Sequence, residues 1–275
     1  MKYAIALVAS LLTVGLGAAT PALAQEEAPP KPITVSGSVA LVSDYRFRGV
    51  SQTDKQMAIQ GGLTATHESG FYAALWGSNL AGWGQFGGAN MELDVVGGYK
   101  HSFGGTTVDV GLTWYMYPGG SDKTDFAEPY VKLSHTLGPV SLLAGVAYAP
   151  EQQALGNWSN TPESRIGDKE DNLYVWGDAA AGVPGTALTV KGHVGYSSGN
   201  PGLGPNGTSV TPTGSYVDYL VGADYVLSPV TLGIAFVGTD IKWRDSLYLQ
   251  PNFSSTKDGK SIASGKVLFS VSAAF

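Results

Sequence analysis

The chain has 275 residues, 38 of them Gly, with 11% aromatic and 14% charged residues and a formal net charge of -6 at pH 7. Soluble domains average about 25% charged residues, so so sparsely charged a surface does not suit a water-exposed globule, and the acidic balance argues against nucleic acid as a partner. A mean hydropathy of +0.03 means that the apolar residues are diluted by small polar ones, unlike the runs of ~20 apolar residues that helical membrane proteins require.

The N-terminus, MKYAIALVASLLTVGLGAATPALAQ, carries one cation, Lys2, then an apolar stretch from Ala4 to Leu16, then Ala22-Leu23-Ala24. A cationic head, a short apolar run and a small-x-small end predict an export signal peptide over residues 1–24, cleaved after Ala24. A Pro-rich periplasmic tether follows over 25–33, and a barrel domain over 34–275. The absence of Cys removes disulfides and thiolate zinc sites. GDKEDN, Gly167 to Asn172, lacks the spacing of a calcium loop, so no metal site and no cofactor is expected.

From residue 34 onward, segments of period-two alternation are separated by turn signals. About twelve strands are predicted, at 34-47, 56-66, 71-80, 90-102, 106-117, 126-137, 140-149, 171-182, 187-198, 215-226, 230-241 and 263-275. Crossing a bilayer takes a tilted strand of about 9–11 residues, which each supplies. Connections alternate in length. Tight turns fall at Glu68-Ser69-Gly70, Gly104-Gly105, Gly138-Pro139, Pro184-Gly185 and Ser228-Pro229, and longer loops at 48-55, 81-89, 118-125, 150-170, 199-214 and 242-262. Short turns on one side and long loops on the other predict an all-β, antiparallel up-and-down transmembrane barrel with short periplasmic turns and longer extracellular loops, as in Gram-negative bacterial outer membranes.

Parity assigns the faces. Met91, Leu93, Val95 and Tyr99 share one face of their strand, whereas Glu92, Asp94 and Lys100 share the other. A one-residue slip would exchange the two sets. On the apolar parity, Tyr45, Trp114, Tyr148 and Tyr196 fall at long-loop ends and Phe71, Tyr99, Tyr225 and Phe275 at short-turn ends. Two aromatic belts at two depths are the expected membrane-interface anchors. The last stretch, SGKVLFSVSAAF, reads as a strand with Val267, Phe269, Val271 and Phe275 towards lipid. It resembles the terminal signal that such barrels present to their assembly machinery, with Ala273 where Tyr is common.

Residues 41 to 80 resemble the N-terminal part of the TorF porin family, through Ser43-Asp44-Tyr45-Arg46-Phe47-Arg48-Gly49, Ser51-Gln52-Thr53, Ala58-Ile59-Gln60-Gly61-Gly62 and Gly70-Phe71-Tyr72-Ala73. Met57 stands where relatives are expected to carry Pro. The resemblance implies pore-like transport without naming a solute.

The opposite parity supplies the candidate pore lining: Asp44, Arg46, Arg48, Gln60, Glu92, Asp94, Lys100, Asp109, Glu128, Lys132, Lys191, His193, Asp218, Asp224 and Lys266, with Asp178 beside them. Arg46 and Arg48, near the outer mouth, are placed to face carboxylates and form a charged constriction. Three readings follow. The first is a passive channel for small hydrophilic solutes or ions, with outer-membrane lipid and the assembly machinery as partners. The second is a closed-lumen barrel, structural or adhesive, acting through loops that hold Trp158, Trp243, Tyr248 and Phe253. The third is a lipid-modifying barrel enzyme, which needs a Ser and a His within hydrogen-bond reach. His67, His101 and His135 sit near tight turns, leaving His193 as the mid-strand lumen candidate. No such pairing is found on the lipid face, so an enzyme is not expected.

Overall fold

The computed structural model describes residues 32–120, 123–156, 167–201, 210–249 and 252–275. The expected export signal, most of the expected tether and Trp158 lie outside these residues. Twelve strands close into one antiparallel barrel: β1 (Ile33–Val42), β4 (Ala58–His67), β5 (Phe71–Asn79), β6 (Met91–Phe103), β7 (Thr106–Met116), β8 (Phe126–Leu137), β9 (Val140–Gln152), β10 (Glu170–Gly182), β11 (Leu188–Gly199), β12 (Ser215–Leu227), β13 (Val230–Thr239) and β14 (Lys266–Ala274). Two further strands, β2 (Arg46–Phe47) and β3 (Val50–Ser51), pair with each other inside it. Each wall strand bonds its sequence neighbour, and β1 closes the ring on β14 from Ser38↔Ala274 to Val42↔Ser270.

Closure leaves no strand edge with unpaired N–H and C=O groups. Alternation then sorts the side chains. Val95, Tyr99, Val110, Leu112, Trp114, Val194, Val221, Ile234 and Phe269 lie exposed on the outer surface. Glu92, Asp94, Asp109, Glu128, Asp178, Asp218 and Asp224 are buried on the inner parity. The turns follow the same economy: Gly104 and Gly105 have φ of 55° and 81°, the left-handed pair that a two-residue hairpin needs to match strand twist.

The expected strand at 34-47 is shorter than the alternation suggested. β1 stops at Val42, Ser43 still bonds Phe269 of β14, and residues 44–54 leave the wall and fold inward, where they are buried. The Asp44 carboxylate accepts the hydroxyls of Ser51 at 2.5 Å and Thr53 at 3.4 Å, drawing the chain back on itself instead of along β14. This corrects the placement of Tyr45. It is 0% exposed and packs its ring 5.5 Å from Trp76 in the lumen, so it is not an outer-surface aromatic. Phe71, Tyr99, Trp114, Tyr148, Tyr196, Tyr225 and Phe275 do lie exposed on the outer face. Among the loop aromatics, Trp243 is exposed and Phe253 is buried against Trp83, with ring centroids 4.8 Å apart.

Val221, 68% exposed in mid-β12, tests the outer surface. Val221→Arg should cost about 2–4 kcal/mol of folding stability in lipid bilayers, measured by denaturant titration, whereas a polar change at the inward Ser270 should cost far less.

Candidate functional site in the barrel lumen

The inward segment is built around a tight hairpin. Between β2 and β3, Arg48 and Gly49 have φ of 45° and 78°. A Cβ on Gly49 would meet Thr239 Cγ2 at 2.5 Å and the Gly238 carbonyl oxygen at 2.8 Å, so the tip presses against β13. Its root is held by Arg46, whose Nε donates to Asp44 at 2.9 Å and whose Nη1 donates to the carbonyls of Gly49 and Ile262, each at 2.9 Å. Lys266 Nζ lies 3.7 Å from the same Asp44 carboxylate.

From the tip, Arg48 reaches β8 and β10. Its Nη2 donates to both Glu128 oxygens at 2.7 Å and its Nη1 to Asn172 Oδ1 at 2.7 Å. The guanidinium also lies 4.1 Å from the centre of the Tyr174 ring. The hairpin is therefore tied to both sides of the barrel. The pair is charge-assisted, with one guanidinium nitrogen serving both carboxylate oxygens, and removing one partner strands a buried charge.

Loops close over the hairpin at the long-loop end. Tyr45, Phe47, Leu80, Phe86, Tyr115, Tyr117, Phe126, Leu155 and Val210 form one apolar cluster; Val50, Trp83, Tyr216, Leu249, Phe253 and Ile262 form another. Below the hairpin a cavity of about 90 Å³ is lined by Arg46, Arg48, Glu128, Lys132, Tyr174 and His193, among others. His193 Nδ1 lies 2.7 Å from Asp178 Oδ1 and Nε2 3.0 Å from Asp218 Oδ1. His193 therefore lies between two carboxylates, one at each ring nitrogen. Towards the short turns, Asp109 accepts the Tyr72 hydroxyl at 2.7 Å and pairs with Lys132 at 3.2 Å and Lys100 at 3.6 Å. Lys191 pairs with Asp224 at 2.7 Å. On the loop surface Lys55 Nζ donates to Asp258 at 2.8 Å, and this bond, with the Lys260 backbone N–H, holds the Asp258 carboxyl down at about 2.

Of the fifteen candidate residues, Asp44, Arg46, Arg48, Gln60, Glu92, Asp94, Asp109, Glu128, Asp218 and Asp224 are buried, and Lys100, Lys132, Lys191, His193 and Lys266 each lie within ion-pair distance of a buried carboxylate. Asp44, Arg46 and Arg48 arrive in the lumen by the hairpin rather than on a wall strand. The alternation also marks Tyr72, Tyr130, Tyr174 and Trp176 as inward, on the same parity as the lumen charges. Tyr174 and Trp176 stack with centroids 5.2 Å apart. Residues 195–199, GYSSG, spell the letters of a hydrolase elbow, but they run straight along β11. Ser197 lies four residues from His193, about 13 Å along an extended strand, so the pair is outside hydrogen-bond reach.

This is a closed twelve-stranded antiparallel barrel with the fold of the outer-membrane porins. A KdgM porin superposes with a TM-score of 0.51 at 9% identity, over 87% of this chain and 99% of that one. A chain from a study of in-meso crystallisation of membrane proteins gives 0.50 at 11% identity, over 88% and 83%. By sequence, residues 26–275 match the Gcw_chp family, described as a bacterial protein of unknown function, and the chain belongs to that family. No curated protein matches it in sequence.

Arg48→Ala should cost about 3–5 kcal/mol by leaving Glu128 buried and unpaired, measured by denaturant unfolding of the detergent-solubilised barrel. The double variant Arg48→Met, Glu128→Gln should recover most of that loss.

Proposed function

We propose that the protein is a porin-like channel of the bacterial outer membrane, passing small hydrophilic solutes or ions by diffusion. One observation carries the reading: in a barrel with an apolar exterior and charged interior, a folded-in hairpin sets Arg48 against Glu128 across the path. The pair bridges the lumen at 2.7 Å and narrows it, so a solute is selected first by size and then by the charged surface that the pair and its neighbours present. The fold shared with porins supports the class, and the resemblance of residues 41 to 80 to the TorF porin family supports it further. In this reading the chain is exported by residues 1–24, inserted by the barrel assembly machinery and held by outer-membrane lipid. It needs no cofactor and makes no covalent bond.

A second reading, a closed barrel acting through its loops, is favoured by the two apolar clusters that pack the long-loop end. Single-channel recording of the exported chain in planar bilayers separates the two. A channel should give small discrete steps, and Arg48→Ser should enlarge them and move the reversal potential in a salt gradient. A folded, heat-modifiable barrel that never conducts, with or without the Arg48 change, would rule out the channel.

A further inference from the structure

Strand register places one inward ring between two glycines. Cross-strand pairs from β7 to β12 set Asp109, Lys132, Gly145, Trp176, Gly195 and Asp218 in a single row around the inner wall. A Cβ on Gly145 would meet three carbons of the six-membered ring of Trp176 at once, so that ring lies with a face against the wall instead of projecting across the lumen. Tyr174, the preceding inward residue of β10, extends it into one apolar panel, with planes 18° apart. On the other side of Trp176, a Cβ on Gly195 would meet Asp218 Oδ2 at 2.6 Å, which brings that carboxylate over Gly195 to the rim of the panel. Cations of the chain itself cover the neighbouring rings: Lys132 lies 4.1 Å from the Tyr130 centre, Lys100 4.5 Å from that of Tyr72 and Arg48 4.1 Å from that of Tyr174. Among the described residues none covers Trp176.

The cavity below the hairpin includes Lys132, Trp176 and Asp218 in its lining. Charge around it is already balanced. Arg46 lies against Asp44, Arg48 against Glu128, Lys132 against Asp109, and His193 between Asp178 and Asp218. An ion of either sign gains little from so balanced a wall in return for its lost hydration. Pairing does not exhaust hydrogen bonding, however, because an ammonium has three N–H donors and a carboxylate about four acceptor sites. A bare apolar face ringed by donors and acceptors at little net charge is complementary to a neutral molecule with C–H bonds on its face and hydroxyls at its rim. The volume, about 90 Å³, sets the size. It equals the liquid volume of about three waters at ~30 Å³ each, which suits a three-carbon polyol and not a hexose.

We propose that the solute taken by this lumen is a small neutral polyol of glycerol size, seated with its C–H face on Trp176 and its hydroxyls on Asp218 and Lys132. The inference rests on the channel reading and names its solute class.

Swelling of phospholipid vesicles that hold the purified exported chain, with protein-free vesicles as the baseline, tests it. Wild type should admit glycerol at a rate that saturates with concentration, and glucose far more slowly. Trp176→Ala should raise the half-saturating glycerol concentration about 3–10-fold, the worth of one aromatic contact. Trp176→Phe keeps a flat face and should recover most of that loss, while the exposed loop change Asp258→Asn should leave entry as in wild type. If Trp176→Ala does not fold, Trp176→Leu, apolar but not flat, is compared with Trp176→Phe in its place. Planar-bilayer recording of the same preparations separates two kinds of failure. Current steps without glycerol entry, glucose entering as fast as glycerol, or saturation indifferent to Trp176 would overturn the polyol site and leave the channel standing. Neither current nor entry would remove both.

Discussion

Lipid offers no hydrogen bonds, and the rest of this structure depends on that fact. A backbone N–H or C=O left unpaired in hydrocarbon costs several kcal/mol, so extended strands can cross only as a closed ring. The β1–β14 seam completes that ring. Once it is closed, the two faces of every strand meet different media, and side-chain alternation becomes compulsory. The exposed Val, Leu, Ile and Phe outside and the carboxylates inside are consequences of closure, not separate design choices.

Closure also moves the electrostatic difficulty inward. A dozen strands enclose little volume, and side chains fill much of it. Charges there are partly removed from water and interact strongly. The chain answers with short ion pairs distributed by depth: Asp109 with two lysines towards the turns, Asp178–His193–Asp218 in the middle, and Arg48 with Glu128 near the loops. Aromatic rings support several of these cations, including Lys132 at 4.1 Å from the Tyr130 ring centre and Lys100 at 4.5 Å from that of Tyr72. Rings and pairs together leave a polar but narrow interior.

The hairpin at Arg48-Gly49 connects these two themes. It gives up the continuation of β1 along the wall and gains bonds to Asp44, Glu128 and Asn172, with the loop carbonyls of Gly49 and Ile262 satisfied by Arg46. Its position under the apolar loop clusters makes passage and packing the same question, since whatever widens the path must also release Phe47 and Tyr45 from their neighbours.

Much of this was legible from the residues alone. Period-two alternation and the rhythm of short turns and long loops determined the strand count, the direction of the ladder and the inward parity of Glu92, Asp109, Glu128, Lys191 and Asp218, because a strand's pattern is local and its period is two. The same locality explains the failure at Tyr45. Residues 43–47 continue to alternate plausibly, and nothing in their spacing reveals that Asp44 will prefer the hydroxyls of Ser51 and Thr53, or that Arg48 will find Glu128, 80 residues away. Such partners become neighbours only after the barrel has closed. Tertiary structure alone therefore decided which lumen charges are paired and that Glu92 and Asp94, side by side on β6, have no cation within ion-pair distance among the described residues: pairing depends on distance in space, and the ring, not the strand, sets that distance.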